Sequence, residues 1–406
     1  MNLRSSALLF LAVVILSALA VTCAGNPGSG GTGGGSAGGG ASAGGGAAAG
    51  GAAAGGSAAG GSAAGGSAAG GSTAGGSTAG GDAGGTAGGA AGGAAGGGAA
   101  GGMGGGGSPD AGPMNQVVRF VAIGDTGKSN TAQNAVGAAI GTLCAARGCD
   151  FVVMLGDNFY PSGVSSTTDP LWQTAFVQPY ATVNAPFYPV LGNHDYGGDG
   201  AGYELNKADV QVAYSQVNPK WRLPAVHHRF TQGHAEFFAL DTNRTFWGND
   251  TQTRADMTAW LQASTATWKI ALGHHPYRSN GPHGNAGDYD TRCLSQACAP
   301  ICCSAAPGFA DGRHVKSFMD SIVCGRADVY LAGHDHSAQW LVPTCNGTQL
   351  IVSGAGASTT TVDMKNPAHF QTTDSGFFYI ELNGRTFTGT YYDSTGAMRF
   401  TRSFTK

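Results

Sequence analysis

Charge is scarce in this chain. Only 11% of its 406 residues are Asp, Glu, Lys or Arg, and the net charge is −3 with histidine neutral. No run of lysine or arginine is present. A nucleic-acid backbone therefore has no electrostatic footprint to meet, and no nucleic-acid binding is expected. Large apolar side chains are missing from residues 23–114 except for Met103 and Met114. That stretch is almost pure Gly, Ala and Ser, with a pentapeptide close to Gly-Gly-Ser-Ala-Ala repeating through its middle. It has nothing to bury against its ordering entropy, so a flexible tether is expected rather than a domain. Glycine does not recur at every third position and proline is sparse there, which excludes a collagen-like helix.

A long hydrophobic run is also lacking. Residues 7–21 are apolar and follow Arg4, a stretch too short for a typical membrane span and of the length of a signal peptide. The expected organisation is a signal peptide over 1–22, the tether over 23–114 and one large folded domain over 115–406. Cys23 follows Ala20-Val21-Thr22, which resembles a bacterial lipoprotein processing site, although Ala20 and Thr22 depart from its usual residues. An ordinary signal peptide cut nearby would leave Cys23 incidental and the protein secreted. The lipid anchor is preferred, because a spacer of ~90 Gly-rich residues reaching about 50 Å suits it. An exported protein follows, at the cell surface or in the periplasm, touching a membrane only through Cys23. A monomer is expected.

Eight cysteines remain: Cys144, Cys149, Cys293, Cys298, Cys302, Cys303, Cys324 and Cys345. An even number in an exported chain points to disulfides, with Cys144 and Cys149 a local pair and the remaining connectivity open. Zinc at Cys293 to Cys303 is disfavoured, because the spacing is not the paired C-x-x-C of such sites.

The domain repeats one pattern. Short apolar runs at 117–123, 151–155, 186–191, 269–272, 328–332 and 349–352 each end in, or run up to, a polar segment. Runs of this kind read as buried strands. Helical spacing is seen at 131–146, stopped by Gly148, and again at 254–264 and 312–323. Alternating strands and helices predict an α/β layered fold. Residues 376–403 alternate apolar and polar around Leu382-Asn383-Gly384, which predicts antiparallel strands and a hairpin.

Five polar clusters follow strand candidates: Gly124-Asp125-Thr126-Gly127, Gly156-Asp157-Asn158-Phe159-Tyr160, Gly192-Asn193-His194-Asp195, Gly273-His274-His275-Pro276 and Gly333-His334-Asp335-His336. In open α/β sheets ligands bind at the carboxyl ends of strands. The leading glycines are expected to let the chain turn sharply and approach a metal. Carboxylates, an amide oxygen, a phenol and imidazoles together suit hard and borderline cations. Two cations a few ångströms apart can hold both the attacking and the leaving oxygen of a phosphoryl displacement. Any one cluster is ordinary, since an Asp after a strand or a His-x-His is usually structural. Five in order point to one site. Gly127-Lys128-Ser129 has the end of a P-loop, but Ala122 stands where its first glycine is required, so that reading fails.

The five clusters in this order resemble the calcineurin-like metallophosphoesterases, and the tyrosine in GDNFY resembles the purple acid phosphatases. RFVAIGDTG, LGDNFYPSGV, FYPVLGNHDYGG, QVAYS, GHHPYRSNGPHG, VYLAGHDHSAQWL and IVSGAG are similar to the tartrate-resistant, type 5 subfamily. The resemblance spans residue 117 to the C-terminus. It implies a four-layer α-β-β-α sandwich with a dinuclear metal site at the C-terminal ends of the strands. It implies Fe(III) on Asp125, Tyr160 and His336, a divalent Fe, Zn or Mn on Asn193, His274 and His334, and Asp157 as the bridge. It implies catalytic roles for His194, on the phosphate, and for His283, as acid for the leaving alcohol. The activity implied is acid hydrolysis of phosphate monoesters by hydroxide generated at the two metals. The alternatives are a phosphodiesterase or nucleotide hydrolase on the same site, and a non-catalytic surface binding protein. The cysteine-rich stretch 288–309 reads as an insertion beside His283, so substrate preference is not carried over. His227, His228, His234, His314 and His369 match no motif, and Trp172, Trp221, Trp260, Trp268 and Trp340 read as core.

Overall fold

Strand β1 (Val118–Ile123) sends its side chains into two different cores. Val118, Phe120 and Ala122 pack with Phe151, Val153 and Leu155 of β2 (Phe151–Leu155). Val121 and Ile123 meet Val136 and Ile140 of helix α1 (Thr131–Arg147) on the other side. A strand that is covered on both faces reads as one continuous apolar run despite its period of two. The structure is a computed structural model and describes residues 116–288 and 311–406. The expected signal peptide and tether, and Cys293, Cys298, Cys302 and Cys303, lie outside the described residues.

The remaining strands are β3 (Phe187–Val190), β4 (His228–Gln232), β5 (Ala235–Ala239), β6 (Trp268–Leu272), β7 (Val329–Ala332), β8 (Ala338–Leu341), β9 (Gln349–Ser353), β10 (Ala368–Thr372), β11 (Gly376–Asn383), β12 (Thr386–Asp393) and β13 (Met398–Thr405). They form two sheets, ordered β13-β12-β11-β1-β2-β3 and β10-β8-β9-β7-β6-β5-β4. In the first, β1, β2 and β3 run parallel. In the second, β5, β6, β7 and β9 do so.

The sheets bury a common core that includes Phe120, Phe151, Phe237, Trp268, Trp340 and Phe378. Helix α1 covers the outer face of the first sheet. The helices Thr251–Ala263 and Gly312–Phe318 pack on the outer face of the second, around Met257, Leu261, Val315 and Phe318. The result is a four-layer α-β-β-α sandwich.

Local signals fix the element ends. Asn130 caps α1 by accepting from Gln133 N at 2.9 Å. Gly148 closes it in the left-handed region, φ 83°. Disulfides join Cys144 to Cys149 and Cys324 to Cys345. Of the expected core tryptophans, Trp172, Trp221, Trp268 and Trp340 are fully buried, and Trp260 is half-buried. Among the described residues no helix is long and apolar enough to cross a membrane.

Candidate active site

Five of the parallel strands hand the chain to a polar turn at the same edge. Asp125 follows β1, Asp157 and Tyr160 follow β2, and Asn193 and His194 follow β3. His274 follows β6, and His334 and His336 follow β7. The two sheets thus contribute different atoms, oxygen donors from the first and imidazoles from the second.

These side chains converge. Tyr160 Oη lies 2.9 Å from Asp157 Oδ2, 3.3 Å from Asp125 Oδ1 and 3.1 Å from His336 Nε2. His274 Nε2 lies 2.9 Å from Asn193 Oδ1, 3.0 Å from His334 Nδ1 and 3.5 Å from Asp157 Oδ1. Asp157, His274 and His334 form one compact donor group, and Asp125, Asp157 and His336 form another. Asp157 belongs to both. A third group, Asp320 with Cys324 and Cys345, has its two sulfurs tied in a disulfide.

The backbone at this edge is unusual, and not in the way the glycines predict. Asp125, Asp157 and His334 themselves adopt φ of 58°, 53° and 70°, a region that L side chains rarely enter. Among the five leading glycines only Gly156 is left-handed, φ 87°. The others serve close approach instead: a Cβ on Gly192 would stand 2.3 Å from Asp157 Oδ1, and one on Gly333 2.6 Å from Asp125 Oδ2. The turn inside Gly333-His334-Asp335-His336 therefore falls on His334.

Neighbours orient each donor. His274 Nδ1 donates to the Leu155 carbonyl at 2.9 Å, which leaves Nε2 with a lone pair. The Asn193 amide nitrogen donates to the Gly200 carbonyl at 2.8 Å, which turns Oδ1 toward that lone pair. Lone pair faces lone pair, an arrangement that a cation relieves. His336 Nδ1 contacts Ser358 Oγ at 2.9 Å, leaving Nε2 on the site. His334 N donates to Asp125 Oδ2 at 2.8 Å and His194 N to Asp157 Oδ1 at 2.9 Å.

The electrostatics call for positive charge. Burial, then the neighbouring Asp157 carboxylate, raises Asp125 well above the usual carboxylate range. Burial, then Asp157 and Asp125, holds the Tyr160 phenol well above its ordinary value. Burial keeps His274, His334 and His336 neutral, the last lowered to about 4. Neutral imidazoles and an amide oxygen are ready to ligate a metal, and a cation would displace the protons held on Asp125 and Tyr160. The donor set fits a pair of cations.

His194 and His283 stand at the rim. His194 Nδ1 donates to the Pro161 carbonyl at 2.6 Å, which leaves Nε2 for a proton or an incoming oxygen. The exposed His283 ring lies 3.9 Å from that of His334. His275, inside the fourth cluster, turns away and binds Thr242 Oγ1.

The sequence reading assigned no role to several residues that hold this geometry. Buried Asp195 accepts from Asn158 N, Asn158 Nδ2, Gly192 N and Gln211 Nε2, tying the turns after β2 and β3 together. Asp335 accepts from His283 N at 3.0 Å. Asn366 clasps the His283 loop, donating to the Ser279 carbonyl and to Asn285 Oδ1, while its own N–H meets Asn280 Oδ1. Asp195 and Asp335 lie inside the quoted clusters, which was their only signal. Nothing local marks Asn366.

Residues 118–338 match the calcineurin-like phosphoesterase family. The tartrate-resistant acid phosphatase type 5 of Sus scrofa is 27% identical over 332 residues, covering 70% of this chain and 86% of the relative. Purple acid phosphatase 17 of Arabidopsis thaliana is 28% identical over 312 residues, covering 70% and 78%. Among solved structures, GAP50, the anchor in the inner membrane complex of Plasmodium, aligns with a TM-score of 0.53 and 21% identity. That alignment covers 71% of this chain and 89% of the other, and at this identity it speaks for the fold alone.

Proposed function

The chain belongs to the calcineurin-like phosphoesterase family, and on that premise we propose that it is a phosphomonoesterase of the purple acid phosphatase type. Asp157 carries this reading, because its carboxylate is shared by two separate donor groups. Asp125, Tyr160 and His336 would hold Fe(III), which a phenolate suits. Asn193, His274 and His334 would hold a divalent Fe, Zn or Mn, and Asp157 would bridge. Bound there, the two cations supply charge that lowers the pKa of water and offsets charge on the phosphate.

The chain's own groups supply the rest. His194 donates from an Nε2–H to a phosphate oxygen, with its ring held by Pro161. His283, exposed at the mouth, delivers a proton to the leaving oxygen. A protonated imidazole in that role favours acid conditions. Asp195 and Asp335, both fully buried, fix the turns behind these groups. The two disulfides support an exported chain. A lipid on Cys23, with residues 23–114 as spacer, would hold the domain at a membrane surface.

Hydrolysis of p-nitrophenyl phosphate and of bis(p-nitrophenyl) phosphate, compared between about pH 4 and about pH 8, tests the reading. Preference for the monoester by about tenfold or more, with an acid optimum, is expected. Preference for the diester would make the protein a phosphodiesterase. Inactivity of metal-loaded protein on both would leave a binding protein.

A further inference from the structure

The motif whose spacing excludes a P-loop ends at the mouth of the site. Lys128 Nζ stands 4.5 Å from the centroid of the Tyr160 ring. Among the described residues no carboxylate pairs with it. The turn beneath it is moored on all sides. Gly127 N donates to the Asp157 carbonyl at 3.1 Å, Lys128 N to the Thr126 carbonyl at 2.8 Å, and Tyr160 N to the Gly127 carbonyl at 2.9 Å. Gly127 is pressed so closely on Asn158 that a Cβ would lie 2.2 Å from its carbonyl carbon. Ser129, at φ 52°, donates its N–H to Gln133 Oε1 at 2.8 Å and its hydroxyl to Thr174 at 2.9 Å. The half-exposed side chain of Lys128 is held only over the Tyr160 ring, and Tyr160 in turn touches His336.

A flexible ammonium on a fixed base, resting on an aromatic ring with no paired carboxylate among the described residues, is suited to a phosphoryl oxygen. We propose that Lys128 is a specificity-determining residue that receives a second phosphoryl group next to the one being hydrolysed. The site then favours compounds with two linked phosphoryl groups over simple monoesters. This rests on the phosphomonoesterase reading and refines it. With inorganic pyrophosphate, a bond forms between the water oxygen and one phosphorus, and the bridging P–O bond breaks. The water protons are shared between the two phosphates released, and no co-reactant is needed.

The test uses the full chain and compares kcat/KM for inorganic pyrophosphate with that for p-nitrophenyl phosphate. In Lys128→Met the ratio of the two is expected to fall about tenfold, through KM, and Lys128→Arg is expected to restore most of it. Methylene diphosphonate, which is not hydrolysed, should lose about tenfold as an inhibitor of Lys128→Met, more than inorganic phosphate does. Lys365 supplies the comparison, because its Nζ lies 3.2 Å from where a Cβ on Gly284, next to His283, would stand. Lys365→Met removes the same charge on that side and should leave the ratio within about twofold. An equal fall on both substrates in Lys128→Met, or an equal fall of the ratio in Lys365→Met, overturns the assignment. So does an unchanged ratio in Lys128→Met. A wild-type chain inactive on both substrates overturns the phosphomonoesterase reading itself.

Discussion

The two sheets meet at one edge with opposite chemistry. The strands β1, β2 and β3 deliver Asp125, Asp157, Tyr160 and Asn193, all oxygen donors. The strands β6 and β7 deliver His274, His334 and His336, all nitrogen donors. Their supports differ as well. The acids of the first sheet take left-handed backbone and backbone N–H donors, whereas His274 and His336 are aimed by acceptors behind their rings. One of those acceptors, the Leu155 carbonyl, belongs to the opposite sheet. Crowded acids on one side and neutral imidazoles on the other leave a charge deficit between the sheets. A pair of cations shared through Asp157 would fill it.

The largest effect should come from removing the shared donor. Asp157→Asn is expected to lose both metals together and to lower kcat by about three orders of magnitude, as read by metal analysis beside p-nitrophenyl phosphate turnover. Loss of a single metal would mean that the sheets hold independent sites. Next come the imidazoles, which serve different donor groups. His334→Ala should release one metal and His336→Ala the other, each with a fall of about a hundredfold in activity. Identical losses from both variants would erase the distinction between the two groups.

A smaller effect is expected behind the rim. Asn366→Ala loosens the loop that carries His283 without touching a proposed ligand. Turnover of alkyl phosphates, which need a proton on the leaving oxygen, should fall about tenfold, and that of p-nitrophenyl phosphate less. A uniform fall on both would reduce Asn366 to a structural role.

The smallest effect concerns acid. His228, at the start of β4, is buried, and that burial lowers it to about 4 from an ordinary 6.5. The unfolded chain therefore binds this proton first. The stabilisation is fully present above about pH 6.5 and is lost as pH falls toward 4, at about 1 kcal/mol per pH unit. Urea titrations of His228→Phe over that window should show a slope flatter by about this amount. An unchanged slope would show that the second sheet does not depend on this neutral imidazole.

Much of this was legible because buried parallel strands are apolar on both faces. β1, β2, β6 and β7 stood out for that reason, and the polar turns that follow them stood out by contrast. Four strands, β4, β5, β8 and β10, did not. β5 carries Glu236, buried and paired with Arg229 at 3.0 Å across to β4, so its run reads as broken. β8 is four residues long and contains Gln339, whose buried amide donates to Ser279 and Ser337. β10 lies at an edge and is only partly buried. Within the site, the clusters supplied the candidate donors, but not which backbone took the strain. The asparagine clasp joins Asn280 and Asn366, 86 positions apart, and no local pattern encodes it.

The most direct test is the metal content and visible spectrum of the purified protein beside those of Tyr160→Phe. Two metals per chain, one of them iron, with a visible band that disappears in Tyr160→Phe, is the predicted result. A single metal, or a band that survives the loss of the phenol, would contradict a centre shared between the two sheets with Tyr160 on its iron.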